Sequence, residues 1–185
     1  MGEHRFESEQ LVTARFSLRR PTPTDITAIH RIHRDPTACA YNPSDMLVAL
    51  GDAEDLYRRW NDHWQRYGFG YWVVRAGDDQ QPEPILGFCG LNRMRLDNHD
   101  VLNLFYRLDP PAWGDGVATE AATMVVDWAT TQLPDAPIIA RVRSDNIASA
   151  RVAVRAGLDR AEHLDTPGED GLDWIFVKNW SDKPR

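Results

Sequence analysis

One short run, Trp113-Gly114-Asp115-Gly116-Val117-Ala118-Thr119-Glu120-Ala121, has the residue types and the order needed to hold a diphosphate. Gly114 and Gly116 lack a Cβ, so an anion can approach the main chain there. The run also stands where a helix begins, because Val117, Ala121, Met124, Val125 and Trp128 recur at helical spacing until Leu133-Pro134. The first amides of a helix have no intrahelical acceptor and carry the positive end of its dipole. Trp113, Gly114, Asp115, Gly116, Val117, Ala118 and Thr119 are therefore read as an anion cradle. Gly68-Phe69-Gly70 repeats the G-x-G spacing. Only the helix start behind Gly116 makes the difference.

A second constellation lies at Ser144, Asp145, Asn146 and Ser149, just before and inside a helical stretch that runs from Ala148 to Ala156 and stops at Gly157. Asn146 and Ser149 share one face of that start. An amide and a hydroxyl there either cap the helix or face a ligand, and spacing leaves both open. Arg151 and Arg155 follow on the same helix at i,i+4. They read as solvated surface charges or as partners for a phosphate.

These residues need a scaffold. Residues 101–108 form an apolar strand that ends at Asp109-Pro110-Pro111, and 137–143 a buried one. Further strands are expected at 14–19, 71–75, 85–92, 158–164 and 172–177, with polar connections at 78–84 and 165–171. Helices are expected at 24–34, capped by Thr24, and at 52–67. The fold class is α/β: a single mixed, mostly antiparallel central sheet of about seven strands flanked by about four helices. One domain spans residues 1–185, and 1–12 form a loosely packed N-terminus.

Composition narrows the function. A chain of 185 residues with 42% hydrophobic content and seven Trp can bury a core. A formal charge of −7 and the absence of a Lys/Arg cluster argue against a nucleic-acid partner. No apolar run approaches the ~20 residues that span a bilayer, and no signal-peptide core is present, so a cytoplasmic protein without a membrane partner is expected. Cys39 and Cys89 are too few and too far apart for a disulfide framework and should simply pack. His30 and His33 share a helix face but have no further ligand at metal-binding spacing, so no metal is expected. Trp60 and Trp64, at i,i+4, read as a core stripe, with an aromatic substrate wall as the alternative. G-x-S-x-G, G-x-x-x-x-G-K-[ST] and H-E-x-x-H do not occur.

The motifs P-P-A-W-G-D-G-V-A-T-E-A and S-D-N-I-A-S-A-R-V-A-V-R-A-G-L, in that order, resemble the GNAT superfamily of acyl-CoA-dependent N-acyltransferases, in particular its RimJ/RimL-like branch. The opening T-A-R-F-S-L-R-R-P, with Thr24-Asp25 and Arg34-Asp35-Pro36, extends the resemblance over nearly the whole chain. It implies acetyl-CoA as co-substrate, held by the cradle, by Asn146 and by Arg151, between two strands that splay apart. It also implies an amine that attacks the thioester directly, with Ser149 at the sulfur. The implied acceptor is a protein N-terminus, a lysine or a small-molecule amine, and the implied assembly a monomer or homodimer.

The sequence departs from that pattern in four places. Asn103 stands where relatives often carry a Glu base; His99, Asp100, His163 and Asp165 are the available substitutes, and each otherwise reads as a solvated turn residue. No tyrosine follows Tyr106, so the usual tyrosine acid is missing. Pro111 stands where relatives have Gln or Arg, and Asp115 puts a carboxylate between the glycines. Glu120 reads as a carboxylate complementing the helix dipole. The departures leave two alternatives: a non-catalytic acyl-CoA-binding sensor or interaction module, and a transferase that uses a larger donor such as succinyl-CoA.

Overall fold

A computed structural model describes residues 9–77 and 84–181; residues 78–83 of the expected polar connection lie outside it. Nine strands form one sheet: β1 (Gln10–Val12), β2 (Phe16–Arg19), β3 (Tyr71–Ala76), β4 (Ile85–Leu96), β5 (His99–Leu108), β6 (Ile138–Arg143), β7 (Asp159–Arg160), β8 (Thr166–Gly168) and β9 (Gly171–Lys178). Four α-helices flank it: α1 (Ile26–His33), α2 (Leu50–Tyr67), α3 (Val117–Gln132) and α4 (Ile147–Arg155). The strand order is β1-β2-β3-β4-β5-β6-β9-β7, with β8 paired to β9. Among the described residues only β5 and β6 run parallel. The mixed, mostly antiparallel sheet is as expected from the sequence.

Strand periodicity places the two cores. Trp72, Val74, Cys89, Leu91 and Leu104 point to one face and pack against Val117, Ala121, Val125 and Trp128 of α3. Val73 and Phe88 point to the other and pack against Ile29 and Ile32 of α1 and Ala53 and Trp60 of α2. Trp60 and Trp64 are 6% and 2% exposed, and the Trp64 ring meets Trp72 edge-on at 5.1 Å. Both tryptophans are core.

Several boundaries differ from the sequence reading, each for a local reason. Residues 10–12, expected to be loose, pair with β2. The first helix is led by a 3₁₀ turn at Pro23–Asp25, whose Asp25 carboxylate accepts the Thr22 amide at 2.7 Å and pairs with Arg19. Asp25, not Thr24, thus satisfies that end. The second helix begins earlier, at Leu50, with the Asp52 carboxylate taking the amides of Val48 and Ala49. β4 and β5 run on into a long hairpin, closed by Asp97 and Asn98 at φ 45° and 64°, which suits a two-residue turn. The strand expected over 158–164 pairs only at Asp159–Arg160, because Glu162–Leu164 wind into a 3₁₀ turn. The connection after it contributes β8.

His33 is 2% exposed, and its Nδ1 lies 2.9 Å from the Ile29 carbonyl oxygen among the rings of Trp60, Phe88 and Phe105. Burial, reinforced by the Arg107 charge and opposed by the Ile29 bond, lowers its pKa to about 3. Between pH 6.5 and about 3 the unfolded chain therefore binds the extra proton. Stability is intact above pH 6.5 and falls with pH through that window, by up to about 1.4 kcal/mol per pH unit from this group. Denaturant melts at pH 7.5, 6 and 5 should show the decline, and His33→Gln should flatten it. His63, whose pKa burial also lowers, leaves a smaller residual slope. An equal slope in the variant would count against this assignment. Among the described residues no group of three or more His, Cys, Asp or Glu side chains is assembled to hold a metal.

Candidate active site

The site grows from the one parallel strand pair. β5 and β6 are paired only at Leu102↔Ile138, Asn103↔Ile139 and Leu104↔Ala140; residues 105–108 and 141–143 carry on without a mutual ladder. Each strand is held on its outer edge, β5 by β4 and β6 by β9. The facing edges between them open as a wedge through the sheet. A cleft of about 720 Å³ passes through it, lined on the α3–α4 side by the cradle and α4, and on the α1–α2 side by residues 38–45 and 169–173.

The cradle sits at the mouth of the wedge. Gly114 and Gly116 adopt φ 95° and 75°, the left-handed region that glycine enters without strain. Gly116 caps α3, the Glu120 amide takes its carbonyl at 3.0 Å, and the amides of Val117, Ala118 and Thr119 have no acceptor among the described residues. Gly114, Gly116, Val117, Ala118 and Thr119 all line the cleft, with Trp113 at its lip. Asp115 does not line it. Its carbonyl accepts a bond from Arg15 at 3.0 Å, whose guanidinium is also bound to Glu120 at 2.7 Å. A cation from the N-terminal strands thus lies beside the loop that carries the unexpected Asp115. Glu120 gains a second role from this contact: burial raises its pKa, but bonds from Thr13 and Arg15 outweigh that and hold it below the usual carboxylate range.

Asn146 and Ser149 are brought to the wedge from the opposite side. Asn146 Oδ1 accepts the Ser149 amide at 3.0 Å, so Asn146 is the N-cap and Ser149 is free of capping duty. The Ser149 hydroxyl instead lies 2.7 Å from the hydroxyl of Tyr106, which also donates to the Ser149 carbonyl at 2.8 Å. The single Tyr106 proton can go to that carbonyl or to Ser149 Oγ, and when Oγ takes it the serine's own proton is free for the cleft. Burial raises the pKa of Tyr106, so it stays protonated. Sequence reasoning missed Tyr106. Its signal was the alternation Leu104, Tyr106, Leu108, which aims all three at the α3 side.

Other sequence candidates fall elsewhere. Arg155 lines the cleft, whereas the exposed Arg151 is not among the lining residues. Asn103 lines it, and its buried Oδ1 has no hydrogen-bond partner, while Nδ2 reaches Asn92 at 3.4 Å. His99, Asp100, His163 and Asp165 do not line it. His99 and Asp100 sit at the tip of the β4–β5 hairpin, and Asp165 is locked to Arg160, whose bond holds its pKa below the usual range. The carboxylates that do face the cleft are Asp45, Glu169, Asp170 and Asp173.

A parallel pair wedged open beside a helix start with free amides is an arrangement that suits a phosphate-bearing ligand. Residues 15–159 match the family model described as "Acetyltransferase (GNAT) domain". The chain belongs to the GNAT acetyltransferase family and is an N-acyltransferase. It is 28% identical over 153 residues to the uncharacterized protein YkkB of Bacillus subtilis, covering 80% of this chain and 84% of that one. Among solved structures, an acetyltransferase from Agrobacterium tumefaciens shares the fold at TM-score 0.76 and 23% identity, over 96% of this chain and 98% of that chain. A spermidine N-acetyltransferase from Vibrio cholerae, solved with CoA and spermine, shares it at TM-score 0.69 and 16% identity, over 90% and 96% of the two chains. No helix among the described residues is long and apolar enough to cross a membrane.

Proposed function

We propose that this enzyme transfers the acetyl group of acetyl-CoA to a primary amine by direct attack. The observation that carries the reading is the wedge itself, with unpaired strand edges between a diphosphate cradle and a half-buried pair of hydroxyls. The free amides of Val117, Ala118 and Thr119 suit the diphosphate, and the open edges of β5 and β6 suit an amide-bearing arm. Arg155 on the rim offers a cation to the remaining phosphate in place of Arg151. The residues present fit the co-substrate.

The amine enters from the α1–α2 side. Asn103 lines the cleft on β5 and is the side chain placed to orient the amine nitrogen. The N–C bond forms as the C–S bond breaks, the amine proton leaves to solvent, and the departing thiolate takes a hydrogen bond from Ser149, whose hydroxyl Tyr106 positions. The spermine bound to the Vibrio cholerae relative supports an amine acceptor.

The test is release of free CoA thiol from acetyl-CoA across a panel of peptides, polyamines and aminoglycosides. Amine-dependent release is expected. Tight acetyl-CoA binding with no amine-dependent release would make the protein a sensor.

A further inference from the structure

Two arginines hold matching places on the splayed strands. Arg107 stands near the end of β5 and Arg143 at the end of β6, both directed to the α1–α2 side and both lining the cleft. Their side chains are 6% and 4% exposed. Arg107 Nη2 donates to Asp45 at 2.8 Å and its guanidinium stacks on Phe105, while Arg143 Nη1 pairs with Asp173 at 3.0 Å. Neither has a further hydrogen-bond partner among the described residues, and none of their nitrogens is both sealed off and unpartnered. Their remaining N–H groups therefore open onto the cleft.

Charge and packing agree. Arg141, on the same face, shares Asp173 at 2.7 Å, so the ion-pair cluster itself sets three guanidiniums against two carboxylates, with Glu169 and Asp170 further out. The β8–β9 hairpin is seated directly on this cluster. A Cβ at Gly168 would come within 2.5 Å of Asp173 Oδ2 and one at Gly171 within 3.0 Å of Arg143 Nη2. Glu169 and Asp170 stand at the mouth of the cleft, in the turn between β8 and β9, where the Ser44 hydroxyl occupies Asp170 at 2.6 Å. Unpaired guanidinium N–H groups in a buried floor match a planar or tetrahedral oxyanion.

We infer that this floor is an oxyanion subsite, so that one reactant carries a carboxylate or phosphate in addition to the reacting group. The inference rests on the acyl-transfer reading above. The anion belongs either to the acceptor amine or to the far end of the acyl group.

The experiment has two arms. In the first, CoA-loaded enzyme is titrated calorimetrically with matched amines: small peptides as free acids and as C-terminal amides, and phosphoethanolamine beside ethanolamine. In the second, succinyl-CoA is compared with butyryl-CoA. Binding at least tenfold tighter for the anionic member is expected in one arm, and that arm names the source. Arg143→Met should reduce the preference to under twofold. Because that variant removes one of the two guanidiniums on the buried Asp173, Asp45→Asn is the second: Asp45 is half-exposed, and its loss frees Arg107, so the preference should rise severalfold. Equal binding within the pairs of both arms, or a preference indifferent to Asp45→Asn, would overturn the inference. Failure to bind acetyl-CoA or to release thiol, read on the same preparation, would count instead against acyl transfer.

Discussion

Gly116→Glu should abolish acetyl-CoA binding, with a loss of at least about a hundredfold in affinity, while the fold persists. Gly116 sits at φ 75°, and a Cβ there would meet only Arg15 Nη2, at 3.5 Å. The added side chain therefore has space to occupy, and it places a carboxylate at the amides of Val117, Ala118 and Thr119 where a diphosphate is expected. Strain accompanies the charge, because a residue with a Cβ costs about 1 to 2 kcal/mol in the left-handed region. Gly116→Ala separates the two effects: it carries the strain without the charge and should weaken binding far less. Calorimetry on both variants, with melting temperature as the control for folding, decides the matter. Unchanged affinity in Gly116→Glu would remove the cradle, and with it the proposed activity.

Removing the hydroxyl of Ser149 should lower kcat by roughly ten- to a thousandfold and leave the acetyl-CoA Kd near its original value, since the bond to sulfur strengthens only as charge develops. Ser149 makes no capping bond with its side chain, so Ser149→Ala has no cap to lose. Tyr106→Phe should lower kcat by about tenfold through misplacement of the Ser149 hydroxyl. The pair is separated by a double-mutant cycle. In a Ser149→Ala background, Tyr106→Phe should cost no further rate, because the hydroxyl it positions is gone. An equal loss in both backgrounds would make Tyr106 a packing residue that merely holds β5 against α4. A full rate in Ser149→Ala would take the serine out of the mechanism.

The parts of the site that were legible in the sequence are those whose partners are close in the chain. Gly114, Gly116 and the amides behind them are consecutive, and the helix that exposes those amides is written in the period of Val117, Ala121, Val125 and Trp128. Asn146 and Ser149 lie one helical turn apart, so their shared face needed no tertiary information. The sequence left open whether they cap the helix or face a ligand; in the structure Asn146 caps α4 and both residues line the cleft.

What stayed hidden is separated by long stretches of chain. Tyr106 and Ser149 are 43 residues apart, and Arg15 and Glu120 are 105 apart. The four substitute bases, read first as solvated turn residues, could not be assigned to the site for a related reason. Strand ends can be read from a sequence, but which ends gather around the one parallel pair cannot. His99 and Asp100 went to a hairpin tip once Arg93 to Leu96 joined β4, an extension that the polar residues Arg93 and Arg95 disguised.

The sequence by itself determined the elements, their faces and the cradle, because helix and strand periods and glycine's backbone freedom act over a few residues. Tertiary structure decided that β5 and β6 part after three paired residues, that two buried arginines end those strands on one face, and that a tyrosine stands behind the serine. Those outcomes depend on how nine strands order themselves and on which charges share a buried space. Both are balances struck among residues distant in the chain.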